Sequence, residues 1–230
     1  MSLRARRIPP IVIGLTGSVG MGKSTAAGML RRMGLPLHDA DAAVHRLLAQ
    51  GGAAVKPVKA AFSGVTWRGA IDRKKLGARV FENAEALRRL EAILHPLVRH
   101  SARRFLKIAA RQRRRLAVLD IPLLFETGGE AMCDAVIVVS APEFVQRARV
   151  LARPGMTAAR FRAIRAKQMP DRLKRRRADF VVKTGLSRRE TLRQLRVVVR
   201  LLRASPRRRP RRRAWPLQGP ARRRCPGRHA

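Results

Sequence analysis

The feature that most constrains this chain is a glycine-rich turn between an apolar run and a helix-forming pattern. The run "IVIGL" at residues 11–15 is typical of a strand buried on both faces, and the following "GSVGMGKS" satisfies the pattern GxxxxGK[ST]. Glycines let backbone N–H groups approach phosphate oxygens, Lys23 adds a positive charge, and the helix that begins here adds its N-terminal partial charge. The stretch therefore predicts a phosphate-binding loop.

The same stretch supplies the groups that we expect to bind ATP and its metal ion. The Ser24 hydroxyl is placed for Mg²⁺, and Asp120, which ends the apolar run "RLAVLD", is the candidate acid that holds Mg²⁺ directly or through water. The alternative for Asp120 is an ordinary acid in the turn after a strand. The expected nucleotide-binding residues are consecutive: Gly17, Ser18, Val19, Gly20, Met21, Gly22, Lys23, Ser24 and Thr25.

Apolar runs alternate with helix-forming patterns along most of the chain. Further strands are predicted in "LPLHDAD", "RLAVLDIPLLFE", "DAVIVVSA" and "ADFVVKTG". The first predicted helix begins at about Lys23, and the second is "AAVHRLLAQ". A third is predicted in "NAEALRRLEAILHPLV", with Asn83 as N-cap and a kink or end near Pro96. Further helices are predicted in "PEFVQRARVLAR", from about Thr157, and after a capping box at Ser187. This alternation predicts an α/β fold with an open, mostly parallel sheet flanked by helices, and with ligands at the carboxyl ends of the strands.

A phosphate-binding loop by itself does not separate kinases from GTPases, ATPases and motor proteins. The sequence contains no NKxD motif and no DxxG motif, which argues against a GTPase. A chain of 230 residues is also short for a motor or a transporter ATPase. These observations favour a kinase that acts on a small molecule.

Such a kinase needs a side chain that orients and deprotonates the acceptor hydroxyl. Asp39 and Asp41 close the second predicted strand, at the sheet edge where we expect the phosphate loop. Residues two apart in a strand face the same way, but a helix begins here. Spacing alone therefore leaves open which acid is the base and which caps the helix.

Two basic helical segments flank the pair Pro154-Gly155. The arginines before this pair are Arg147, Arg149 and Arg153, and those after it are Arg160, Arg162 and Arg165. Such segments suit a lid that closes over the transferring phosphates, excludes water and adds positive charge. The alternative is that these arginines belong to solvated helix faces.

The formal net charge of +39 would on its own indicate a polyanionic partner. Residues 204–230 carry ten arginines and no acid, and their composition predicts a disordered tail. A solvated tail, a contact to nucleic acid or acidic lipid, and a frameshift product remain open for it. Aromatic residues are 4% of the chain and tyrosine is absent, which is poor material for base stacking and argues against a nucleic-acid-binding protein.

The cysteines and the hydropathy pattern bear on the compartment. Cys133 and Cys225 lie far apart, without the spacing of a disulfide framework or a zinc site, which indicates a reduced protein of the cytoplasm. No run of about 18 apolar residues occurs, so we expect no membrane span. We expect a monomer or a weak homo-oligomer.

With these residues in place, the sequence resembles the dephospho-CoA kinases. The resemblance covers about residues 11 to 202 and depends on motifs that occur in the family's order. They are "GLTGSVGMGKST", "DADAAVHRLL", "IDRKKLGARVF", "LEAILHPLV", "DIPLLFE" and "QMPDRLKRRRADFVV".

The resemblance implies a P-loop kinase that transfers the ATP γ-phosphate to the 3′-hydroxyl of dephospho-CoA. It implies one kinase domain over residues 1–203, followed by the tail. The expected parts of this domain are a core at about 8–40, 116–145 and 178–203, a helical acceptor-binding part at about 41–115, and a lid at about 146–177.

The resemblance also assigns roles by motif position. It implies Asp41 as the catalytic acid, with Lys23 and the lid arginine Arg147 beside the ATP phosphates. The implied acceptor site contains Asp39, His95, Pro96, Leu123, Leu124 and Glu126.

Two short segments depart from the family pattern. The middle of the phosphate loop is Ser18-Val19-Gly20-Met21, where the required glycines are kept, and Lys183-Thr184 replaces a common Asp-Asn pair. The second change puts a side-chain contact to adenine in doubt.

Two alternatives to this function remain. One is another P-loop kinase, acting on a nucleoside, a nucleotide or a hydroxylated metabolite. The other, from a different class, is a nucleic-acid-binding protein that kept the P-loop fold.

Overall fold

The computed structural model describes residues 9–81 and 83–205. The strands are β1 (Ile11–Thr16), β2 (Leu37–Asp39), β3 (Thr66–Trp67), β4 (Ala70–Ile71), β5 (Leu116–Asp120), β6 (Ala135–Ser140) and β7 (Phe180–Lys183). The helices are α1 (Lys23–Arg32), α2 (Ala40–Leu48), α3 (Val55–Ala61), α4 (Arg73–Val80), α5 (Ala84–Arg111), α6 (Glu143–Leu151), α7 (Ala158–Ala166), α8 (Asp171–Arg177) and α9 (Arg188–Ala204), with a 3-10 helix at Gly129–Met132.

A five-stranded parallel sheet forms the centre of the molecule, in the order β2-β5-β1-β6-β7. Every residue of β1, β5 and β6 is buried, as expected for strands covered by helices on both faces. In the register of this sheet, Asp120 of β5 lies opposite Leu15 of β1 on one side and opposite Asp39 of β2 on the other. The predicted α/β fold is confirmed, and the carboxyl ends of three strands meet at one edge.

The main hydrophobic core lies between the sheet and the helices that pack on it. Helices α1 and α9 contact each other over the sheet, and α9 buries Leu195, Val199 and Leu202. The side chain of Ser187 accepts a hydrogen bond from the Glu190 N–H, so the predicted cap of this helix is confirmed. Of the predicted tail, only its first two residues are described, and α9 ends at Ala204; the rest lies outside the described residues.

A second hydrophobic cluster lies among α2 to α5 and the β3–β4 hairpin. Its buried members are Leu48, Ala54, Val58, Phe62, Val65, Ile71, Leu76 and Leu90. Helices α3 and α4 and the hairpin were not predicted from the sequence, because each is too short to show a clear period. Of the kink or end predicted near Pro96, the end does not occur, since α5 continues through this residue to Arg111. Packing of α5 against α2, α3, α4 and β5 outweighs the cost of a proline inside a helix.

Within the two described ranges, 9–81 and 83–205, no helix combines the length and the apolar character that crossing a membrane requires.

A histidine is buried at the edge of the sheet. His38 of β2 is 6% exposed, its ring lies 5.5 Å from the ring of Phe105, and its Nε2 lies 3.1 Å from the Ser101 hydroxyl. Burial lowers the pKa of His38, and the charge of Arg46 lowers it further, although Asp39 acts in the opposite direction. His38 is therefore neutral in the folded protein near pH 7.

We expect the contribution of His38 to stability to be lost as the pH falls below its unfolded pKa of about 6.5, because the unfolded chain then binds the proton more readily. The variant His38→Asn lacks this proton-binding group but can still bond Ser101. Urea unfolding at pH 8 and pH 5 should show that the wild-type advantage in free energy of unfolding shrinks at the lower pH. A constant difference between the two proteins would contradict this expectation.

Candidate active site

The predicted phosphate loop connects β1 to α1, and its glycines are required by its geometry. Gly20 and Gly22 have φ angles of +76° and +83°, in the left-handed region. A Cβ atom on Gly17 would lie 2.8 Å from the carbonyl oxygen of Val139, so only glycine fits against β6 at this position. No side chain caps the N-terminus of α1, and its first turn contains no acid. Its backbone N–H groups are therefore available to an anion.

The loop lines a cavity of about 570 Å³, within the range of small-molecule sites. All nine predicted nucleotide-binding residues, Gly17 to Thr25, line this cavity. The remaining lining residues come from α2, from the turn after β5, from α6, from the segment before α8 and from the region after β7. They are Asp41, Pro122, Arg149, Arg153, Gln168, Thr184, Leu186, Ser187, Arg188 and Thr191.

An ion pair joins the loop lysine to the end of β5. The Lys23 Nζ lies 2.7 Å from Oδ1 of Asp120, and the Asp120 side chain is 4% exposed. Burial raises the pKa of Asp120, and the Lys23 charge opposes that rise. Asp120 is thus buried and paired with the phosphate loop. An ordinary acid in the turn after a strand would be solvated instead.

The structure separates the two acids that the sequence left ambiguous. Asp39 is the N-cap of α2: its Oδ1 accepts a hydrogen bond from the Ala42 N–H at 3.0 Å, and its Oδ2 lies 3.6 Å from Arg31. Asp39 lines neither the phosphate cavity nor the apolar pocket beside it, which is described below. Asp41 lies in the first turn of α2, is exposed, and does line that cavity.

A second, mostly apolar pocket of about 320 Å³ lies beside the first, between α2, α5 and the turn after β5. Asp41 lines this pocket too, together with the predicted acceptor residues His95 and Leu123. Burial lowers the pKa of His95, which favours its neutral form. The pocket is the candidate acceptor site, and Asp41 lies where it meets the phosphate cavity.

Three residues predicted for the acceptor site lie elsewhere. Pro96 is exposed on α5 and Leu124 is fully buried in the core, and neither lines the apolar pocket. Glu126 accepts a hydrogen bond from the Met169 N–H at 2.9 Å and lies 2.8 Å from the Nζ of Lys174, which has no exposed surface. Glu126 therefore fastens α8 to the turn after β5. Its partners lie more than forty positions away, so local sequence patterns could not reveal them.

The arginines that line the phosphate cavity are not the predicted lid arginine. Arg147 is exposed on α6 and does not line the phosphate cavity, whereas Arg149 and Arg153 do. Arg149 follows the predicted Arg147 by two positions on α6 and is next to the buried Val150, while Arg153 lies two residues beyond the end of this helix. Arg149 Nη2 also donates a hydrogen bond to the Thr184 carbonyl oxygen at 2.7 Å.

Sequence reasoning also missed side chains that hold the loop. The hydroxyl of Thr184 donates a hydrogen bond to the Met21 carbonyl oxygen at 2.8 Å. Thr184 belongs to the pair Lys183-Thr184, which departs from the family pattern. Gln146 and Gln168 both bond the backbone of Val19. Because these partners are distant in sequence, no spacing signal marked them.

Comparison with known proteins decides the family. The family model described as "Dephospho-CoA kinase" matches residues 11–188. The chain belongs to the dephospho-CoA kinase family. The resemblance inferred from the motifs is thereby confirmed.

Similar proteins agree with this membership. A dephospho-CoA kinase of Paramagnetospirillum magneticum is 60% identical over 194 residues, which is 84% of this chain and 92% of that relative. Among solved structures, TT1252 from Thermus thermophilus matches with a TM-score of 0.73 and 37% identity, over 84% of this chain and 98% of the other. A dephospho-CoA kinase from Campylobacter jejuni matches with a TM-score of 0.59 and 25% identity, over 83% and 96%.

We expect Arg149→Ala to raise the KM for ATP at least about tenfold, because a charged donor to phosphate is lost from the cavity. Arg147→Ala is the matched control on the same helix and should leave this KM within about twofold of the wild type. Steady-state kinetics with varied ATP measures both. The reverse order of the two effects would contradict the placement of α6.

Proposed function

We propose that this chain transfers the γ-phosphoryl group of ATP to the ribose 3′-hydroxyl of dephospho-CoA. Family membership supports this reaction, and one geometric observation carries it: Asp41 lines both the phosphate cavity and the apolar pocket. A carboxylate at this junction can meet the acceptor hydroxyl on one side and the terminal phosphate on the other.

The phosphate cavity supplies the charge stabilisation that phosphoryl transfer needs. Loop N–H groups and the N-terminus of α1 would bind the phosphate oxygens of ATP, and Lys23 would lie beside the β- and γ-phosphates. Arg149 of α6 and Arg153, two residues beyond this helix, line the same cavity and would add positive charge there, in the role first predicted for Arg147.

In the transfer itself, Asp41 accepts the proton of the 3′-hydroxyl while the hydroxyl oxygen bonds to the γ-phosphorus. The bond between that phosphorus and the bridging oxygen of the β-phosphate breaks, and ADP leaves with the electron pair. The exposed position of Asp41 in the first turn of α2 lets an acceptor reach its carboxylate.

The donor set at the loop fits Mg²⁺, which prefers hard oxygen ligands. Ser24 has an exposed side chain in the phosphate cavity, and Asp120 places a buried carboxylate beside Lys23. These two residues would hold the ion, Asp120 directly or through water. When bound, Mg²⁺ would neutralise part of the phosphate charge.

The apolar pocket suits the adenosine end of dephospho-CoA, which carries the reacting hydroxyl. Leu94, Val98 and Leu123 contribute apolar surface for a flat ring, while His95 and Arg99 are among its polar groups. An acceptor bound here would present its ribose near Asp41.

We also propose that the protein works in the cytoplasm as a monomer or a weak homo-oligomer. Within residues 9–81 and 83–205, Cys133 forms no disulfide, in keeping with a reducing compartment. The exposed large side chains Trp67 and Phe144 lie on separate elements, β3 and α6. Light scattering across a range of protein concentrations would test the assembly.

A coupled assay of ADP release tests the reaction, with ATP, Mg²⁺ and dephospho-CoA as reactants. We expect ADP release that depends on dephospho-CoA and that exceeds the rate with nucleosides, nucleotides or other hydroxylated metabolites. If ATP binds but dephospho-CoA does not stimulate turnover, the proposed acceptor is wrong and the alternative kinase substrates replace it.

Asp41→Asn should lower kcat at least about a hundredfold, because the general base is lost, while ATP still binds. Asp39→Asn is the matched control: asparagine is also a good N-cap, so kcat should stay within about threefold of the wild type. Turnover kinetics and calorimetric ATP titration measure the two effects. Near-normal turnover of Asp41→Asn would refute the role of Asp41.

A further inference from the structure

Two glutamines hold the backbone of one residue in the phosphate loop. The Val19 N–H donates to Oε1 of Gln168 at 3.0 Å, and Nε2 of Gln146 donates to the Val19 carbonyl oxygen at 2.7 Å. Gln146 belongs to α6 and is 3% exposed, whereas Gln168 lies between α7 and α8 and lines the phosphate cavity. Both hydrogen-bonding groups of Val19 are therefore bound by side chains from outside the loop.

The chemistry of each contact requires a particular end of the amide. The N–H of Val19 can only donate, so Gln168 must offer its oxygen, and the carbonyl oxygen can only accept, so Gln146 must offer its nitrogen. The two glutamines thus use opposite ends of the same functional group. This polarity can be tested by substitution.

The next loop residue shows why the contact with α6 is close. A Cβ atom on Gly20 would lie 2.5 Å from Cγ2 of Val150 and 3.0 Å from the carbonyl oxygen of Gln146. The loop therefore packs directly on α6, the helix that also carries Arg149 at the cavity and that ends two residues before Arg153. The glutamine contacts link the shape of the loop to the position of these arginines.

We propose that Gln146 and Gln168 are positioning residues for ATP, an inference that rests on the proposed use of the loop to bind ATP phosphates. They hold the Val19 peptide groups so that the loop is already shaped for phosphate before ATP arrives. Removing either contact leaves a partly buried backbone group without its partner and lets the loop relax. ATP must then reorder the loop, which weakens binding more than it slows transfer at saturation.

The first test exchanges each glutamine for glutamate. Both variants add one negative charge beside Val19, but Gln168→Glu adds it in the lining of the phosphate cavity and Gln146→Glu adds it at a buried position outside that lining, so repulsion of ATP alone would weaken binding more for Gln168→Glu. An ionised carboxylate can still accept from the Val19 N–H at position 168, but at position 146 it cannot donate to the carbonyl oxygen. We expect Gln146→Glu to raise the ATP Kd at least about fivefold more than Gln168→Glu does at pH 8.

The second readout is the pH profile of the same variants. A protonated glutamic acid at position 146 can donate its O–H to the Val19 carbonyl oxygen, so acid should restore part of the lost ATP affinity. The ratio of the Gln146→Glu Kd to the wild-type Kd should therefore fall between pH 8 and pH 6. General damage to packing would not be repaired by acid. Equal effects of both glutamates at every pH would overturn the proposal.

Methionine variants keep the experiment decisive if a buried glutamate prevents folding. Gln146→Met and Gln168→Met retain side-chain volume and lose the hydrogen bonds; each should raise the ATP Kd at least about fivefold, with kcat within about threefold. The control is Gln194→Met, because Gln194 likewise bonds both backbone groups of one residue, Lys183, and neither Gln194 nor Lys183 lines the phosphate cavity. It should leave the ATP Kd unchanged.

Calorimetric ATP titration without acceptor provides the Kd values, and turnover with dephospho-CoA provides KM and kcat. Normal ATP binding by the wild type without phosphorylation of dephospho-CoA would refute the proposed acceptor, while the Kd values of the variants would still decide the role of the glutamines. Unchanged ATP Kd values in both methionine variants would overturn that role.

Discussion

The parallel pairing of β1 between β5 and β6 is the constraint on which the rest of the structure depends. It brings the phosphate loop, which follows β1, beside Asp120 at the end of β5, and it places Val139 of β6 against Gly17. A parallel sheet needs crossover helices on its faces, and one of these, α1, begins inside the loop. The sheet order thus sets the position of the phosphate loop beside the buried acid Asp120, and the side chain of Lys23 joins the two.

Much of this arrangement could be predicted from sequence because it is local. The loop, its strand and its helix are contiguous, and the period of α9 and the caps at Asn83 and Ser187 involve residues within one turn. The loop residues that line the phosphate cavity could be predicted for the same reason, because they are consecutive. The acceptor side was predicted less well, since Pro96, Leu124 and Glu126 were placed there by motif position alone and the structure puts them in other surroundings.

What the sequence could not show are contacts between distant segments. The choice between Asp39 and Asp41 depends on where α2 begins, because the first acid becomes its cap and the second faces the cavities. The glutamines on Val19 come from positions 127 and 149 residues away along the chain. Arg149 lies two positions from the predicted Arg147 on the same helix, and only the packing of α6 shows which of the two lines the cavity.

The pair of Glu126 and Lys174 also limits how this chain can change over time. If Glu126 is replaced, the fully buried ammonium of Lys174 becomes an unpaired charge in the interior, which costs about 3–5 kcal/mol of stability. Replacing both residues by apolar side chains of similar volume can leave the stability nearly unchanged. Single substitutions at either position are therefore selected against, and compensated double substitutions are tolerated. The two positions should drift together among descendants of this sequence, although they lie in different motifs and neither lines the acceptor pocket.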